Sequence, residues 1–187
     1  SKVIVILIMR HFFIIGKHGD QLLKIASSQM KDRNETVAKS YAIACGYCIR
    51  VASNKKIGSF GKKVTRYYFE KRSDSGTDDK LPKVSSIACE SVSNFSGDQF
   101  QSHASLFLPL AFIAKHDLNK EIAKTFSKVW SDYTNSSVSA IKLFFPEIIN
   151  LINSHINTPS FALRRTIALT IIEIIDVTCV VLAASIV

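Results

Sequence analysis

Two cysteines, Cys45 and Cys48, form a Cys-x-x-Cys pair in this chain of 187 residues. Cys-x-x-Cys is the form of a thiol-disulfide active site, in which the first thiol needs a lowered pKa. The N-terminus of a helix supplies that shift, because its free N–H groups stabilise the thiolate. Here about nine residues of helical pattern precede Cys45. We therefore predict that both cysteines lie inside a helix and pack as small hydrophobic side chains.

The rest of the sequence offers no motif of an enzyme or of a metal site. The five histidines have no metal-binding spacing, and the patterns of a nucleophile elbow, a dinucleotide fold and a P-loop are missing. We expect no catalytic residue, no metal or other cofactor, and no small-molecule substrate. A thiol oxidoreductase that uses Cys45 and Cys48 is the enzyme alternative.

Composition favours helices over strands. Only 7 Gly and 4 Pro interrupt a sequence that is 47% hydrophobic, too few for a sandwich or barrel with turn signals every ~8–12 residues. Four cysteines without a secretory signal peptide indicate a reducing compartment. Because the chain starts and stops in apolar runs, we expect it to be a piece of something larger.

Neither apolar end predicts a membrane span. The first run is interrupted by Arg10 and His11 and is shorter than the ~20 residues that a span needs. The last run carries Glu173 and Asp176, and an acidic residue is costly at the centre of a membrane helix. We predict instead a helix with a water-facing stripe and a core-facing stripe. The first stripe is Thr166, Thr170, Glu173 and Val177, and the second is Ile167, Ile171, Ile174 and Ile175.

Four similar segments, each opened by a basic residue, indicate an internal repeat. They are KSYAIAC, KVSSIAC, KTFSKVW and RTIALTI, which start at Lys39, Lys83, Lys124 and Arg165 with offsets of 44, 41 and 41. This spacing matches the period of HEAT and armadillo repeats, which are built from helical hairpins. The sequence thus predicts an all-α fold, an α-solenoid of HEAT/armadillo-like helical hairpins. Residues 1–187 would form one continuous part of it, with about four to five hairpins.

Two features of the repeat bear on helix packing. In the second copy, Cys45 is matched by Cys89 but Cys48 by Val92, as expected where a cysteine merely packs. Each copy also has a small residue three positions after its basic one, and small residues let a neighbouring helix approach closely. These small residues are Ala42, Ser86, Ser127 and Ala168.

Apolar periodicity and capping residues place the helices of these hairpins. They are predicted at Lys2–Ile15, Gln21–Met30, Thr36–Ser53, Ile57–Lys71, Leu81–Phe95, Gln99–Lys115, Lys120–Tyr133, Val138–Ile156 and Phe161–Asp176, with more helix beyond. The polar segment SDSGTDDK, residues 73–80, is the predicted linker between two helices.

Positive charge is concentrated between Arg50 and Arg72. This stretch holds eight basic residues against Glu70, or +7 of the net charge of +9. On a helix, Ile57, Phe60, Val64 and Tyr67 or Tyr68 would form one face, with Lys62, Lys63 and Arg66 opposite. Such a face is either simply solvated or binds an acidic partner, protein or nucleic acid. The candidate partner-binding residues, here called the basic patch, are Lys55, Lys56, Lys62, Lys63, Arg66, Lys71 and Arg72.

A helical-repeat binder of transport cargo or nucleic acid is the alternative to a scaffold for proteins. It would need comparable basic clusters in successive repeats, which the copies at Lys83 and Lys124 lack. We therefore expect a protein partner and no nucleic acid.

An ordered series of motifs resembles one known family. The basic helix ends in Y-x-E-K, the run H-A-x-x-x-L-P-L-A-F follows at His103–Phe112, K-V-W lies at Lys128–Trp130, and a pattern of small residues lies near Ala168. Together they are similar to the very large HEAT-repeat adaptor and scaffold proteins that bind the proteasome, in their fungal form. The resemblance covers about residues 39–175.

The resemblance implies a non-enzymatic protein that bridges the proteasome core particle and its regulatory particle, with a role in proteasome assembly and quality control. The implied partners are outer-ring subunits of the core particle and an ATPase subunit of the regulatory particle. The implied locations are the cytoplasm and the nucleus. The resemblance carries over no catalytic or contact residue to this sequence.

Overall fold

A computed structural model describes residues 2–10, 16–70 and 79–184, and the regular elements in this part of the chain are all helical. The α-helices are α1 (Lys2–Arg10), α2 (Gly19–Ser28), α3 (Glu35–Ile49), α4 (Asn54–Phe69), α5 (Lys80–Phe95), α6 (Gln99–Ser102), α7 (Ala104–Ala114), α8 (Lys120–Tyr133), α9 (Ser137–His155) and α10 (Phe161–Ala184). Short 3-10 turns lie at Gly16–His18 and Gln29–Lys31. The prediction of an all-α fold is confirmed.

The helix predictions hold with one break that was not foreseen. The predicted helix Gln99–Lys115 is divided at His103, whose φ of −122° is not helical, into α6 and α7. The N–H of His103 donates to Phe100 O at 3.0 Å, and its ring Nδ1 lies 3.0 Å from Gln99 O. The side chain thus occupies the carbonyl that a continued α-helix would use. Residues 11–15 of the first predicted helix and residues 73–78 of the predicted linker lie outside the described residues.

The chain divides into two compact units. Among the described residues, the first comprises 2–10, 16–70 and 79–107, and the second comprises 108–184. In the first unit, α3 is packed against α1, α2 and α5, and α5 also packs against α4. In the second unit, α9 and α10 pack against each other.

Helices α3 and α5 of the first unit run parallel to each other. Near their C-terminal ends, the rings of Tyr47 and Phe95 stack with centroids 4.3 Å apart. At their N-terminal ends, Lys80 Nζ donates to Arg33 O at 2.8 Å and to Asp32 O. These two helices carry the first two repeat segments. The sequence copies are therefore parallel neighbours, as stacked repeats require.

The parallel helices approach most closely at Gly46. A Cβ at this position would lie 2.3 Å from Ser91 O and 2.5 Å from the Ser91 carbonyl carbon. Because these atoms belong to the backbone of α5, they cannot move aside as a flexible side chain could. The two backbones are thus in direct contact, and only glycine fits between them.

The predicted small packing positions are confirmed in two copies of the repeat and wrong in two. Ala42 and Ser86 are buried in α3 and α5, but Ser127 and Ala168 are exposed. In α8, the buried face is instead apolar and consists of Ile122, Phe126, Val129 and Trp130. The sequence alignment therefore matched the last two copies to the first two without matching their buried faces.

The predicted water-facing stripe of α10 is wrong in its first two residues. Thr166 and Thr170 are fully buried, and their hydroxyls donate to Ala162 O at 3.0 Å and to Thr166 O at 2.9 Å. A threonine whose hydroxyl bonds back to its own helix can be buried without an unsatisfied group. Of the predicted core-facing stripe, Ile167 and Ile174 are buried, whereas Ile175 is exposed.

Glu173, the third residue of the predicted water-facing stripe, is paired within the second unit. Its carboxylate accepts from Lys115 Nζ at 2.7 Å and from His116 Nε2 at 2.8 Å. Burial acts to raise the pKa of Glu173, but these hydrogen bonds outweigh it and hold the pKa below its usual value.

Across the described parts of the chain, no helix has the length and apolar character needed to cross a membrane.

Replacing Gly46 by alanine should lower the free energy of unfolding by about 1–3 kcal/mol, because the new methyl group overlaps the backbone of α5. Gly58 in α4 is the matched control, since a Cβ there would meet nothing within 4 Å. Gly58→Ala should raise the free energy of unfolding by about 0.5–1 kcal/mol through helix propensity. Urea titrations followed by circular dichroism measure both changes. The same sign for both substitutions would contradict the close contact at Gly46.

Candidate partner-binding surface

The Cys-x-x-Cys pair, Cys45 and Cys48, lies in the core of the first unit. Cys45 and Cys48 in α3, and Cys89 in α5, are free and fully buried. Burial raises the pKa of the Cys45 thiol well above its usual value and that of Cys48 to about 12. Cys45 Sγ lies 3.8 Å from Met30 Sδ. The prediction that these cysteines pack as hydrophobic side chains is confirmed.

The basic helix α4 has the buried face that the sequence predicts. Ile57 and Val64 are fully buried, and Phe60, Tyr67 and Tyr68 are at most 3% exposed. From α5, Ser85 Oγ donates to Val64 O at 2.9 Å. Burial of the apolar face thus fixes the orientation of α4. The charged residues of α4 lie on its other faces.

Four residues of the basic patch are exposed on α4. They are Lys55, Lys56, Lys62 and Arg66. Lys71 and Arg72 lie outside the described residues. The guanidinium carbon of Arg66 lies 5.7 Å from the centroid of the Tyr67 ring, a cation–π distance that limits where the guanidinium moves.

Lys63 does not lie on the open face with Lys62 and Arg66, so that part of the prediction is wrong. It is half-buried, and its Nζ donates to Ser27 Oγ in α2 at 3.0 Å. Burial and the nearby positive charges of Arg66 and Lys31 hold the pKa of Lys63 below its usual value. Its ammonium group therefore faces the neighbouring helix α2.

Helix α2 runs parallel to α4, with polar contacts at both ends. Near the start, the Asp20 carboxylate accepts from Ser53 N at 2.7 Å and from Ser53 Oγ at 2.8 Å. Beyond the end of α2, Lys31 forms an ion pair with Glu70 at 3.0 Å, and its Nζ lies 4.9 Å from the centroid of the Tyr67 ring. The backbone and hydroxyl hydrogen bonds of Ser53 hold the pKa of Asp20 below its usual value.

A small cavity opens between α2 and α4 where these helices run side by side. Its volume is about 160 Å³, and it is lined by Leu23, Lys24, Ser27, Lys56, Ser59, Phe60 and Lys63. The lysines and serines provide positive charge and hydroxyl groups, and the buried Leu23 and Phe60 provide an apolar floor. We call this cavity the lysine pocket.

The sequence predicts the part of this surface that α4 contributes but not the part that α2 contributes. Lys24 and Ser27 belong to a different helix, in which basic residues are not concentrated. The signal that could have found them is the repeat itself. Equivalent helices of successive repeats lie side by side, so the helix one period before α4 had to be its neighbour.

Among the described residues, no group of His, Cys, Asp and Glu side chains is placed to hold a metal ion. The exposed face of α4 and the lysine pocket offer ammonium, guanidinium and hydroxyl groups around an apolar floor. Such groups bind anions and acidic side chains.

Comparison with known proteins finds one family. The model of the HEAT-repeat domain of the proteasome adapter and scaffold protein ECM29 matches residues 1–69. The chain is 32% identical to the proteasome component ECM29 of Saccharomyces cerevisiae over 174 residues, which are 93% of this chain and 9% of the relative. No solved structure matches the chain.

Two further relatives carry related names. The proteasome component ecm29 of Schizosaccharomyces pombe is 27% identical over 94% of the chain and 10% of its own length. The human proteasome adapter and scaffold protein ECM29 is 24% identical over 84% of the chain and 9% of its own length. The chain thus spans about a tenth of the length of the curated relatives that it matches.

The burial of the cysteines predicts their reactivity. In the folded chain at mildly alkaline pH, Ellman's reagent should react rapidly with the exposed Cys179 and slowly with Cys45, Cys48 and Cys89. Cys179→Ser should remove the fast phase, and Cys48→Ser should leave it unchanged. All four thiols should react rapidly in guanidinium chloride. A fast phase that survives Cys179→Ser would contradict the buried environment of the other three.

Proposed function

We propose that this chain, which is similar to ECM29 proteins over nearly all of its length and matches the model of their HEAT-repeat domain at residues 1–69, is part of a proteasome adaptor and scaffold. The observation that carries the proposal is the 32% identity to a protein named as a proteasome component, over 93% of the chain. The parallel packing of α3 and α5 supports it, because stacked helical repeats expose long surfaces that can hold large partners.

In the proposed role, the protein tethers the proteasome core particle to the regulatory particle. It contacts outer-ring subunits of the former and an ATPase subunit of the latter, and it acts in proteasome assembly and quality control. It does so in the cytoplasm and the nucleus. Its contribution is to hold two bodies near each other, which raises their effective concentration and requires no catalytic group.

The two alternative functions have weaker support. A thiol oxidoreductase needs an accessible thiolate, whereas the thiols of Cys45 and Cys48 are buried and have raised pKa values. A binder of nucleic acid or transport cargo would extend its basic surface over successive repeats, whereas the positive charge of the described helices is concentrated on α4. The names of the relatives favour neither alternative.

The basic patch gives the scaffold a surface for an acidic protein partner. Lys55, Lys56, Lys62 and Arg66 are exposed, so they keep most of their hydration until a partner approaches. Exposed charges of this kind accelerate association and add a modest, salt-dependent affinity. The patch would therefore strengthen proteasome binding rather than create it.

Affinity purification of the tagged full-length protein under gentle lysis tests two parts of the proposal, which are proteasome binding and the contribution of the basic patch to it. We expect mass spectrometry to find core-particle and regulatory-particle subunits. The double reversal Lys62→Glu and Arg66→Glu should weaken proteasome binding about threefold to tenfold at low salt and less at high salt. The control is Lys120→Glu with Lys124→Glu in α8, which are exposed and have the same spacing. It should change the affinity less than about twofold.

Two outcomes would contradict these expectations separately. If no proteasome subunits co-purify, the scaffold role is wrong. If they co-purify but both double reversals have equal effects, the basic patch is only a solvated helix face. Lys63 is left unchanged in this design because its hydrogen bond to Ser27 joins α4 to α2.

A further inference from the structure

The lysine pocket differs from the rest of the basic patch in being a cavity with a defined lining. Three lysines contribute to it, Lys24 from α2 and Lys56 and Lys63 from α4. No acidic side chain is among its lining residues. Lys56 helps to lower the pKa of the nearby Asp20, whose carboxylate already accepts two hydrogen bonds from Ser53. The positive charge of the pocket is therefore not matched by an acidic group in its wall.

The polar groups of the pocket keep capacity to bind. An ammonium group has three donors, and Ser27 Oγ takes one from Lys63 at 3.0 Å. Ser27 Oγ in turn donates to Lys24 O at 3.2 Å, and Ser59 Oγ donates to Lys55 O at 3.0 Å. Both serine protons are thus directed to the backbone of their own helices. Donors for an incoming anion come mainly from the lysines.

The size of the pocket limits what can occupy it. About 160 Å³ is below the roughly 300–1,000 Å³ of sites for drug-sized molecules and cofactors. It is several times the ~30 Å³ share of one water molecule, which leaves room for a single side chain. The buried floor of Leu23 and Phe60 suits methylene groups rather than a fully hydrated ion.

We propose that the lysine pocket receives the side chain of a glutamate from an acidic segment of a protein partner. The carboxylate lies among the ammonium groups of Lys24, Lys56 and Lys63, and the two methylene groups of the glutamate contact Leu23 and Phe60. This inference rests on the proposed function in one respect only, which is that the partner is a proteasome subunit. The pocket supplies the specific contact, and the exposed cations around it supply long-range attraction.

The arrangement favours a protein carboxylate over other anions. Inorganic phosphate has no apolar part that can contact Leu23 and Phe60, whereas a glutamate side chain has two methylene groups. Nucleic acid is recognised by rows of phosphate contacts and by stacking of bases on exposed aromatic faces. Phe60 is only 3% exposed and offers no such face.

Two adjacent lysines provide the matched test. Lys55 and Lys56 are both exposed on α4, but only Lys56 is part of the pocket lining. The probe is a fluorescein-labelled peptide with a run of glutamates, measured by fluorescence anisotropy against the full-length protein. Lys56→Gln should weaken binding about tenfold, as expected for loss of one charge-assisted hydrogen bond. Lys55→Gln should weaken it less than about twofold.

Two further arms separate the pocket from simple charge attraction. Ser59→Leu fills the pocket without changing the charge. It should weaken binding of the glutamate peptide as much as Lys56→Gln does. A twin peptide with glutamine in place of glutamate should not bind measurably. Inorganic phosphate, added at constant ionic strength, should displace the peptide poorly.

Each arm has an outcome that overturns the proposal. No binding of the glutamate peptide, equal effects of Lys55→Gln and Lys56→Gln, or an unchanged affinity in Ser59→Leu would each show that the pocket receives no glutamate. Efficient displacement by phosphate would show a site for small anions instead. The peptide assay contains no proteasome, so a failed purification of proteasome subunits would contradict the proposed function and leave the peptide result standing.

Discussion

The backbone contact between Gly46 and Ser91 is the constraint on which the rest of the first unit depends. It sets the distance between the parallel helices α3 and α5 to a value that excludes even one methyl group. Helix α2 packs on α3, and α4 packs on α5, so the distance between α2 and α4 follows from the same contact. The lysine pocket lies between α2 and α4. A glycine in the core therefore determines the geometry of a surface site.

The same close packing separates the two kinds of residue that could have indicated function. The thiols of Cys45, Cys48 and Cys89 are buried in α3 and α5, and burial disfavours their reactive thiolate form. The lysines of α4 are directed away from that interface because Ile57 and Val64 anchor the opposite face. These three thiols are thus buried, whereas Lys55, Lys56 and Lys62 of α4 are exposed.

The sequence predicts the features of the fold that depend on apolar periodicity. It does not predict the position of a polar side chain that has a hydrogen-bond partner within the fold. The helix positions and the buried face of α4 follow from apolar spacing alone. The burial of Thr166 depends on a hydrogen bond to its own helix, and the orientation of Lys63 depends on Ser27 in another helix. Neither partner is visible in a pattern of residue types. Ser127 is exposed although its repeat equivalent Ala42 is buried, because aligned letters do not fix which face of a helix is covered.

Stacked repeats require that α3 and α5 run parallel, and nuclear Overhauser effects between aromatic rings report the direction of the two helices. With the centroids of Tyr47 and Phe95 4.3 Å apart, we expect strong cross-peaks between the ring protons of these two residues in the chain with labelled tyrosine and phenylalanine. Cross-peaks from the Tyr47 ring to Pro82, at the opposite end of α5, would indicate antiparallel helices and would contradict the parallel arrangement.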